Sequence, residues 1–307
     1  MSRVFVLGNA TLDCIQTIPR LPAPGETLLA DSLLRCPGGK GLNQAVACAR
    51  TGAATVLVAP LGRDADAAVL AAAAAAEPGL AARWMESAAP TDYSAIWVAA
   101  GGENMIVSSA AAARGLAEAD AIAALDDLRA GDILLLQGNL TREVTMAAAR
   151  LGRERGARTA LNTAPIAWDM AEALALFDIV IANAVEAAQV TGADARSAAA
   201  ALAPGRIAIV TLGRDGAVMA RDGVLTPVAA PRVKAVDTAG AGDVFVGVFV
   251  GALCRGAAPD RAIRAATAAA AIAVTRPGTV PSFPSSIELA PLLAEQPKAG
   301  DAGQRTA

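Results

Sequence analysis

Asp237-Thr238-Ala239-Gly240-Ala241-Gly242-Asp243 stands between a strand-like run, Val233 to Val236, and a long apolar helical stretch, Val244 to Cys254. The small residues at 239–242 let the backbone turn sharply and present successive N–H groups at the start of a helix. Unpaired donors and the helix dipole attract anions there. A carboxylate closes the same turn, and a carboxylate is the wrong group for merely holding phosphate but the right one for receiving a proton. An anion cradle at Gly240, Ala241 and Gly242 with Asp243 beside it is what phosphoryl transfer to an alcohol requires. For these seven residues alone the plainer reading stays open: an Asp in the first turn of an ordinary helix after a Gly-rich bend.

Outward from this unit, apolar strand-like runs alternate with Ala-rich helical stretches. The runs are Val4 to Leu7, Thr55 to Ala59, Ile133 to Gln137, Thr159 to Asn162, Ile179 to Ile181 and Ile207 to Thr211. Alternation of this kind predicts a three-layer αβα fold, a mainly parallel sheet with helices on both faces. Residues 11–36 and 91–108 break the alternation with short strand-like pieces and no helix between them, and are predicted to pair as a small β-sheet lid. The core is then expected from 1–10, 37–90 and 109–295, followed by a disordered tail at 296–307.

Composition narrows the function. The 307 residues are 54% hydrophobic, but Ala runs such as Ala71 to Ala76 dominate that figure and aromatics are only 3%. The longest apolar helical stretch falls far short of the ~20 residues that span a bilayer, so no membrane partner is expected. A net charge of −3 with no basic stripe argues against nucleic acid and for a small-molecule substrate. The first residues read as a strand, not a signal peptide, and imply a cytoplasmic protein. Cys14, Cys36, Cys48 and Cys254 are scattered and read as reduced structural thiols. The chain has no His, which excludes Ser-His-Asp and Cys-His machinery and leaves carboxylates as the natural general bases.

A second glycine cluster, Pro37-Gly38-Gly39-Lys40-Gly41-Leu42-Asn43, precedes a helical run from Gln44 to Arg50. A plain turn before a helix is one reading; the other is that Lys40 and Asn43 supply donors to grip a polyhydroxylated ligand. The cluster is not a Walker A loop, because residue 34 is Leu and residue 41 is Gly. Gly240-Ala241-Gly242 does not continue as a dinucleotide-binding fingerprint, because residue 245 is Phe.

The two clusters, in this order, resemble the signature motifs of the ribokinase-like (phosphofructokinase B type) sugar kinase family. The likeness runs nearly end to end. Asn183-Ala184-Val185-Glu186 resembles the family's N-x-x-E element, Val210 to Gly216 its nucleotide loop, and Ala269 to Ser282 its C-terminal helix and cation loop. Gly8 to Asp13, Pro24 to Thr27, Gly39 to Ala47 and Ala271 to Arg276 look closest to bacterial ribokinases. The resemblance implies a kinase with ATP and Mg²⁺ as cofactors and K⁺ as activator. It implies Asp243 as base and Gly240, Ala241 and Gly242 as anion hole. Asp13, Gly39, Lys40 and Asn43 correspond to sugar-gripping positions, and Asn183 and Glu186 lie near the triphosphate, with Glu186 reaching Mg²⁺ through water. Thr211, Gly213 and Gly216 match the nucleotide loop, and Thr267 falls near the adenine. Asp237, the backbone of Ala239, Ala273, Arg276 and Gly278, and Ser282 match the monovalent-cation loop.

Two departures bear on the substrate. Thr11 stands where typical ribokinases carry Asn, and Gly138-Asn139 where they usually carry Glu. The expected activity is phosphorylation of a primary hydroxyl of a small sugar, ribose or a related pentose. A nucleoside kinase of the same family, or a non-catalytic sugar- or nucleotide-binding regulator, are the alternatives. The exposed edges of the lid suggest a homodimer.

Overall fold

In the computed structural model of the chain, the described residues are 2–101 and 103–294. The tail expected at 296–307 lies outside them. The chain begins with β1 (Val4–Leu7), β2 (Thr11–Ile18), β3 (Ser32–Gly38), α1 (Lys40–Arg50), β4 (Thr55–Leu61), α2 (Ala65–Ala75) and β5 (Leu80–Glu86). It continues through β6 (Asp92–Ala99), β7 (Asn104–Ser108), α3 (Ala111–Gly115), α4 (Glu118–Ala123), β8 (Ile133–Gln137), α5 (Arg142–Glu154) and β9 (Arg158–Asn162). Then come β10 (Ile179–Asn183), α6 (Ala184–Thr191), α7 (Ala195–Leu202), β11 (Ile207–Thr211), β12 (Ala217–Arg221) and β13 (Val224–Val228). Helices α8 (Ala241–Cys254), α9 (Pro259–Ala273) and α10 (Ser286–Leu293) complete it.

Nine strands form one sheet in the order β13-β12-β11-β10-β9-β8-β1-β4-β5, parallel except for the β11-β12-β13 end. Successive residues of a strand face opposite sides, so strands covered on both faces are apolar throughout. Val4 and Val6 of β1 and Ile133 and Leu135 of β8 pack in one core with α1, α8 and α9. Phe5, Leu7, Leu134 and Leu136 pack in the other with α5 and α7. The result is the three-layer fold expected. A second sheet, β3-β2-β6-β7, is built from the two segments predicted to pair; β2 and β6 run parallel, and its other pairs are antiparallel.

The six alternating runs expected in the sheet occur as strands, and three of them extend further: β4 to Leu61, β9 back to Arg158 and β10 to Asn183. Three strands were not expected. β5 is a half-exposed edge with Ala, Arg and Glu in it, and β12 and β13 form a hairpin with no helix to signal alternation. Val233–Val236 is not a strand but an exposed irregular stretch. Both signature helices start earlier than expected, α1 at Lys40 and α8 at Ala241. Gly39 and Gly240 have φ of 88° and 72° and occupy the N-cap positions. Lys40, Asn43 and Asp243 therefore belong to first helical turns instead of loops.

Helices α1 and α8 touch backbone to backbone. A Cβ at Gly247 would lie 2.5 Å from Ala47 Cβ and 2.6 Å from the Gln44 carbonyl oxygen, and one at Gly251 would lie 2.5 Å from Thr51 Oγ1. The Cys48 thiol donates to the Gly247 carbonyl at 3.2 Å along the same seam. Gly247→Ala improves helix propensity by about 1 kcal/mol. It is nevertheless expected to lower the unfolding free energy by about 1–3 kcal/mol, because the added methyl forces the helices apart. Denaturant unfolding of the two proteins checks this, and a more stable variant would show that the seam is looser than described.

Candidate active site

The site is assembled where the first turns of α1 and α8 meet the C-terminal ends of the parallel strands. Gly39 is needed at the start of α1: besides its positive φ, a Cβ there would lie 2.7 Å from the Thr11 amide nitrogen. Gly41 sits as tightly, 2.6 Å from the Asn9 carbonyl oxygen by the same measure. Asn9 holds this turn from below, its carbonyl accepting from Leu42 N–H at 3.0 Å and its side chain from Gly41 N–H at 3.3 Å.

So placed, α1 delivers two consecutive amides to Asp243, which is only 6% exposed. Asn43 Nδ2 donates to Oδ2 at 2.9 Å and Gln44 Nε2 donates to Oδ1 at 2.9 Å. Lys40 Nζ stands 3.8 Å from Oδ1. The backbone preceding Asp243 makes the glycine-rich helix start. A Cβ at Gly242 would meet open space, whereas one at Gly240 would strike the Phe283 ring at 2.6 Å. The Ala241 amide donates to the Thr238 carbonyl at 3.3 Å. A helix start of this kind favours negative charge in front of it.

Asp13, on β2, is the second buried carboxylate. Its head group occupies the space a side chain at position 38 would need, 1.9 Å from an ideal Gly38 Cβ. Burial pushes it up to about 6, opposed by the nearby hydroxyls of Thr11, Ser94 and Thr279 and helped by the charge of Asp243. Thr11 Oγ1 donates to Asp13 Oδ1 at 2.8 Å. Asn139 lies just past β8, and its Oδ1 is buried without a protein partner, as is Asn43 Oδ1.

Asn183 and Glu186 form a capping box at the start of α6, and Thr163 Oγ1 also donates to Glu186, at 2.8 Å. The pair thus serves as a helix start, with Glu186 half exposed. Thr211 ends β11, and Gly213 and Gly216 take positive φ in the turn to β12. The Val228 carbonyl lies 2.0 Å from an ideal Gly216 Cβ, so no side chain fits there. Val228 and Ala229 also line a cleft of about 350 Å³ with Arg264, Thr267 and Ala268.

Asp237 braces the loop before α8, Oδ1 accepting from Ala239 N–H and Oδ2 from Gly278 N–H, each at 2.9 Å. Ser282 is fully buried and donates to the Thr279 carbonyl at 2.8 Å. Ala273 ends α9, and the Arg276 side chain turns away to pair with Glu288.

Sequence reasoning did not single out Asn9, Ser94, Thr279, Gln137, Asn162 or the site role of Gln44. Gln44, directly after Asn43, carried a signal in its position. The others reach the site only through tertiary contact.

Residues 1–286 of the 307 match the model of the pfkB family carbohydrate kinases. The ribokinase of Haemophilus influenzae is 33% identical over 92% of this chain and 95% of its own. The deoxyribokinase of Salmonella typhimurium is 31% identical over the same shares. The Arabidopsis thaliana ribokinase, solved as a complex with ribose and ATP, superposes with a TM-score of 0.83 at 27% identity, covering 96% of this chain and all of its own. The chain belongs to the pfkB family of carbohydrate kinases, phosphotransferases whose acceptor is an alcohol group.

Proposed function

We propose that this kinase uses ATP to phosphorylate a primary hydroxyl of a pentose, ribose or a close relative, with Asp243 taking the hydroxyl proton. One arrangement carries the reading: a buried carboxylate, both oxygens held by amide donors, in the first turn of a helix with a glycine-rich start. Phosphoryl transfer needs little beyond positioning and charge stabilisation. The amides of Gly240, Ala241 and Gly242 serve as the cradle for the transferring phosphoryl, and the open face above Gly242 gives it room.

The sugar is assigned to Thr11, Asp13, Gly39, Lys40, Asn43 and Asn139. Thr11 gives its proton to Asp13 and so offers a ligand an acceptor. Asn43 Oδ1 and Asn139 Oδ1 lack protein donors, and sugar hydroxyls are the donors such groups require. A ribokinase and a deoxyribokinase among the relatives support a pentose. Closure of the second sheet over the sugar would keep water from the phosphoryl donor.

ATP is assigned to the cleft beside Thr267, with Thr211, Gly213 and Gly216 at the nucleotide loop and Asn183 and Glu186 near its phosphates. Both Glu186 oxygens already accept hydrogen bonds, so contact with Mg²⁺ through water suits it better than direct ligation. Mg²⁺, when bound, offsets the charge of the phosphates. No cluster of three or more metal-ligating side chains occurs among the described residues, in keeping with an ion held largely by the nucleotide and water. Asp237, Ser282 and the backbone oxygens at Ala239, Ala273, Arg276 and Gly278 supply the hard oxygen donors a K⁺ would take. The second sheet exposes Leu33 and Leu34 on β3 and Ile106 and Val107 on β7, its two edge strands, which supports a homodimer through that sheet.

Purified protein is expected to release ADP only when sugar is present. In that assay Asp243→Asn is expected to lower turnover by roughly 10²–10⁴-fold while ATP binding persists, the scale of a lost general base; near-normal turnover would remove Asp243 from this role. Rising potassium is expected to raise kcat, and a flat titration would remove the cation loop. For Asp13, kcat/KM for the sugar is expected to fall as pH drops through about 6, when the carboxylate takes up a proton. The accompanying stability effect has a fixed sign. Its folded value of about 6 lies above the ordinary 3.8, so this group's contribution is fully present below about pH 4 and is lost as pH rises through 6. The melting temperature of Asp13→Asn minus that of wild type should therefore grow from pH 4 to 7. A constant difference would show that Asp13 is not held in this way.

A further inference from the structure

Asp243 is tied to the central sheet by a run of buried side-chain amides. Gln44 Nε2, which donates to Asp243 Oδ1 at 2.9 Å, also donates to Asn162 Oδ1 at 3.0 Å. Gln137 Nε2 donates to Gln44 Oε1 at 2.9 Å, and Asn162 Nδ2 donates to the Ile181 carbonyl at 3.1 Å. Gln44 and Gln137 are fully buried and Asn162 nearly so. Gln137, Asn162 and Ile181 are register partners on β8, β9 and β10, so the run crosses three neighbouring strands at one level.

The direction of every bond follows from one end. A carboxamide can be turned over, exchanging its oxygen and nitrogen, and its orientation is decided by whatever in its surroundings cannot be exchanged. The Ile181 carbonyl can only accept, so Asn162 must offer it Nδ2 and show Oδ1 to Gln44. Gln44 must then meet Asn162 with Nε2, whose second hydrogen falls to Asp243, and its Oε1 is left for Gln137. Turned over, Gln44 would set an oxygen against both Asn162 Oδ1 and the Asp243 carboxylate. The cost of such a buried mismatch, about 1–3 kcal/mol for each unsatisfied group, keeps the amide one way round.

We propose that Gln44, oriented by Asn162 and Gln137, is a positioning residue for Asp243. Together with Asn43 on the other oxygen, it fixes the rotation of the carboxylate, so that the base meets the sugar hydroxyl at a constant angle. The inference rests on the reading of Asp243 as the base. It adds that the aim of that base is set by three residues outside the assigned sugar and nucleotide sites.

The test compares wild type with Gln44→Met, which keeps the length and removes the donors, and Gln44→Glu, which keeps the shape and adds a charge. For Gln44→Met, kcat is expected to fall roughly 10- to 100-fold, the scale on which misplacing a reacting group acts. KM for sugar and for ATP should stay within about twofold, since proximity and not binding is lost. In Gln44→Glu a second carboxylate replaces the donor beside Asp243, and like charges held that close favour keeping a proton between them, so turnover should be depressed and its acid limb displaced upward. If Gln44→Met does not fold, the profile of Gln44→Glu decides. A purely structural role would lower the melting temperature and leave the KM-against-kcat split and the pH profile as in wild type. An active wild type whose Gln44 variants keep its kcat and acid limb overturns this inference alone. A wild type that forms no ADP with any sugar overturns the kinase reading and this inference with it.

Discussion

Helices α1 and α8 approach so closely that neither Gly247 nor Gly251 has space for a methyl group, and the chemistry of the site is built on that approach. Asn43 and Gln44 have short side chains, and both reach Asp243 at 2.9 Å only because the two backbones run in contact one turn further on. Glycine inside a helix costs about 1 kcal/mol against alanine. Two of them in α8 make sense as the condition for dense packing at the seam, where α8 is otherwise Val, Phe, Ala and Leu buried to the last turn. The same packing that stabilises one face of the sheet therefore sets the distance between the Asp243 carboxylate and the groups that hold it.

Two buried carboxylates face this site, and their partners differ in kind. Asp13 is surrounded by hydroxyls: Thr11 donates to it at 2.8 Å and those of Ser94 and Thr279 stand close by, and a hydroxyl can give or accept a hydrogen bond as a ligand demands. Asp243 is bonded by amide N–H groups and approached by an ammonium, which can only give. An adaptable surround suits a group that must match the several hydroxyls of a sugar. A donor-only surround suits a carboxylate that must stay in one place with one orientation. The low-dielectric interior separates the roles of two chemically similar residues by what lies within hydrogen-bonding distance of each.

Much of this was legible in the sequence because it rests on local pattern. Continuous apolar runs such as Ile133–Gln137 mark strands buried on both faces, and the alternation with Ala-rich stretches marks a parallel sheet. The glycine clusters were visible as helix starts, but their phase was not. Gly39 and Gly240 adopt positive φ and stop at the N-cap, a choice made by contact with Thr11 and Phe283, far away in sequence. Val233–Val236 has the composition of a strand but runs exposed and unpaired with the sheet, and the Val236 N–H donates instead to the Val274 carbonyl just past α9 at 2.7 Å. Gln137 and Asn162 each end an ordinary-looking strand. Their meeting with Gln44 spans 93 and 118 residues, and no local signal encodes it.

Reaction and substrate are recorded in parts of the fold that differ in how freely they can change. Displacing Asp243 means opening a glycine-tight seam and a chain of buried amides together, so the proposed base is bound up with the stability of the core. Asn139 and Thr11 are embedded less deeply in that sense: each contributes one hydrogen-bonding group at the rim of a strand. Against the Glu that the resemblance to ribokinases leads one to expect there, the Asn139 amide exchanges a charged acceptor for a neutral one. Hydrogen bonds to the two are worth about 1.5–3 and 0.5–1.5 kcal/mol respectively. The difference, about 1 kcal/mol, corresponds to several-fold in preference between sugars. Under the proposed assignment, a single side chain at the end of β8 would re-rank pentoses while the phosphoryl cradle and its base stay as they are.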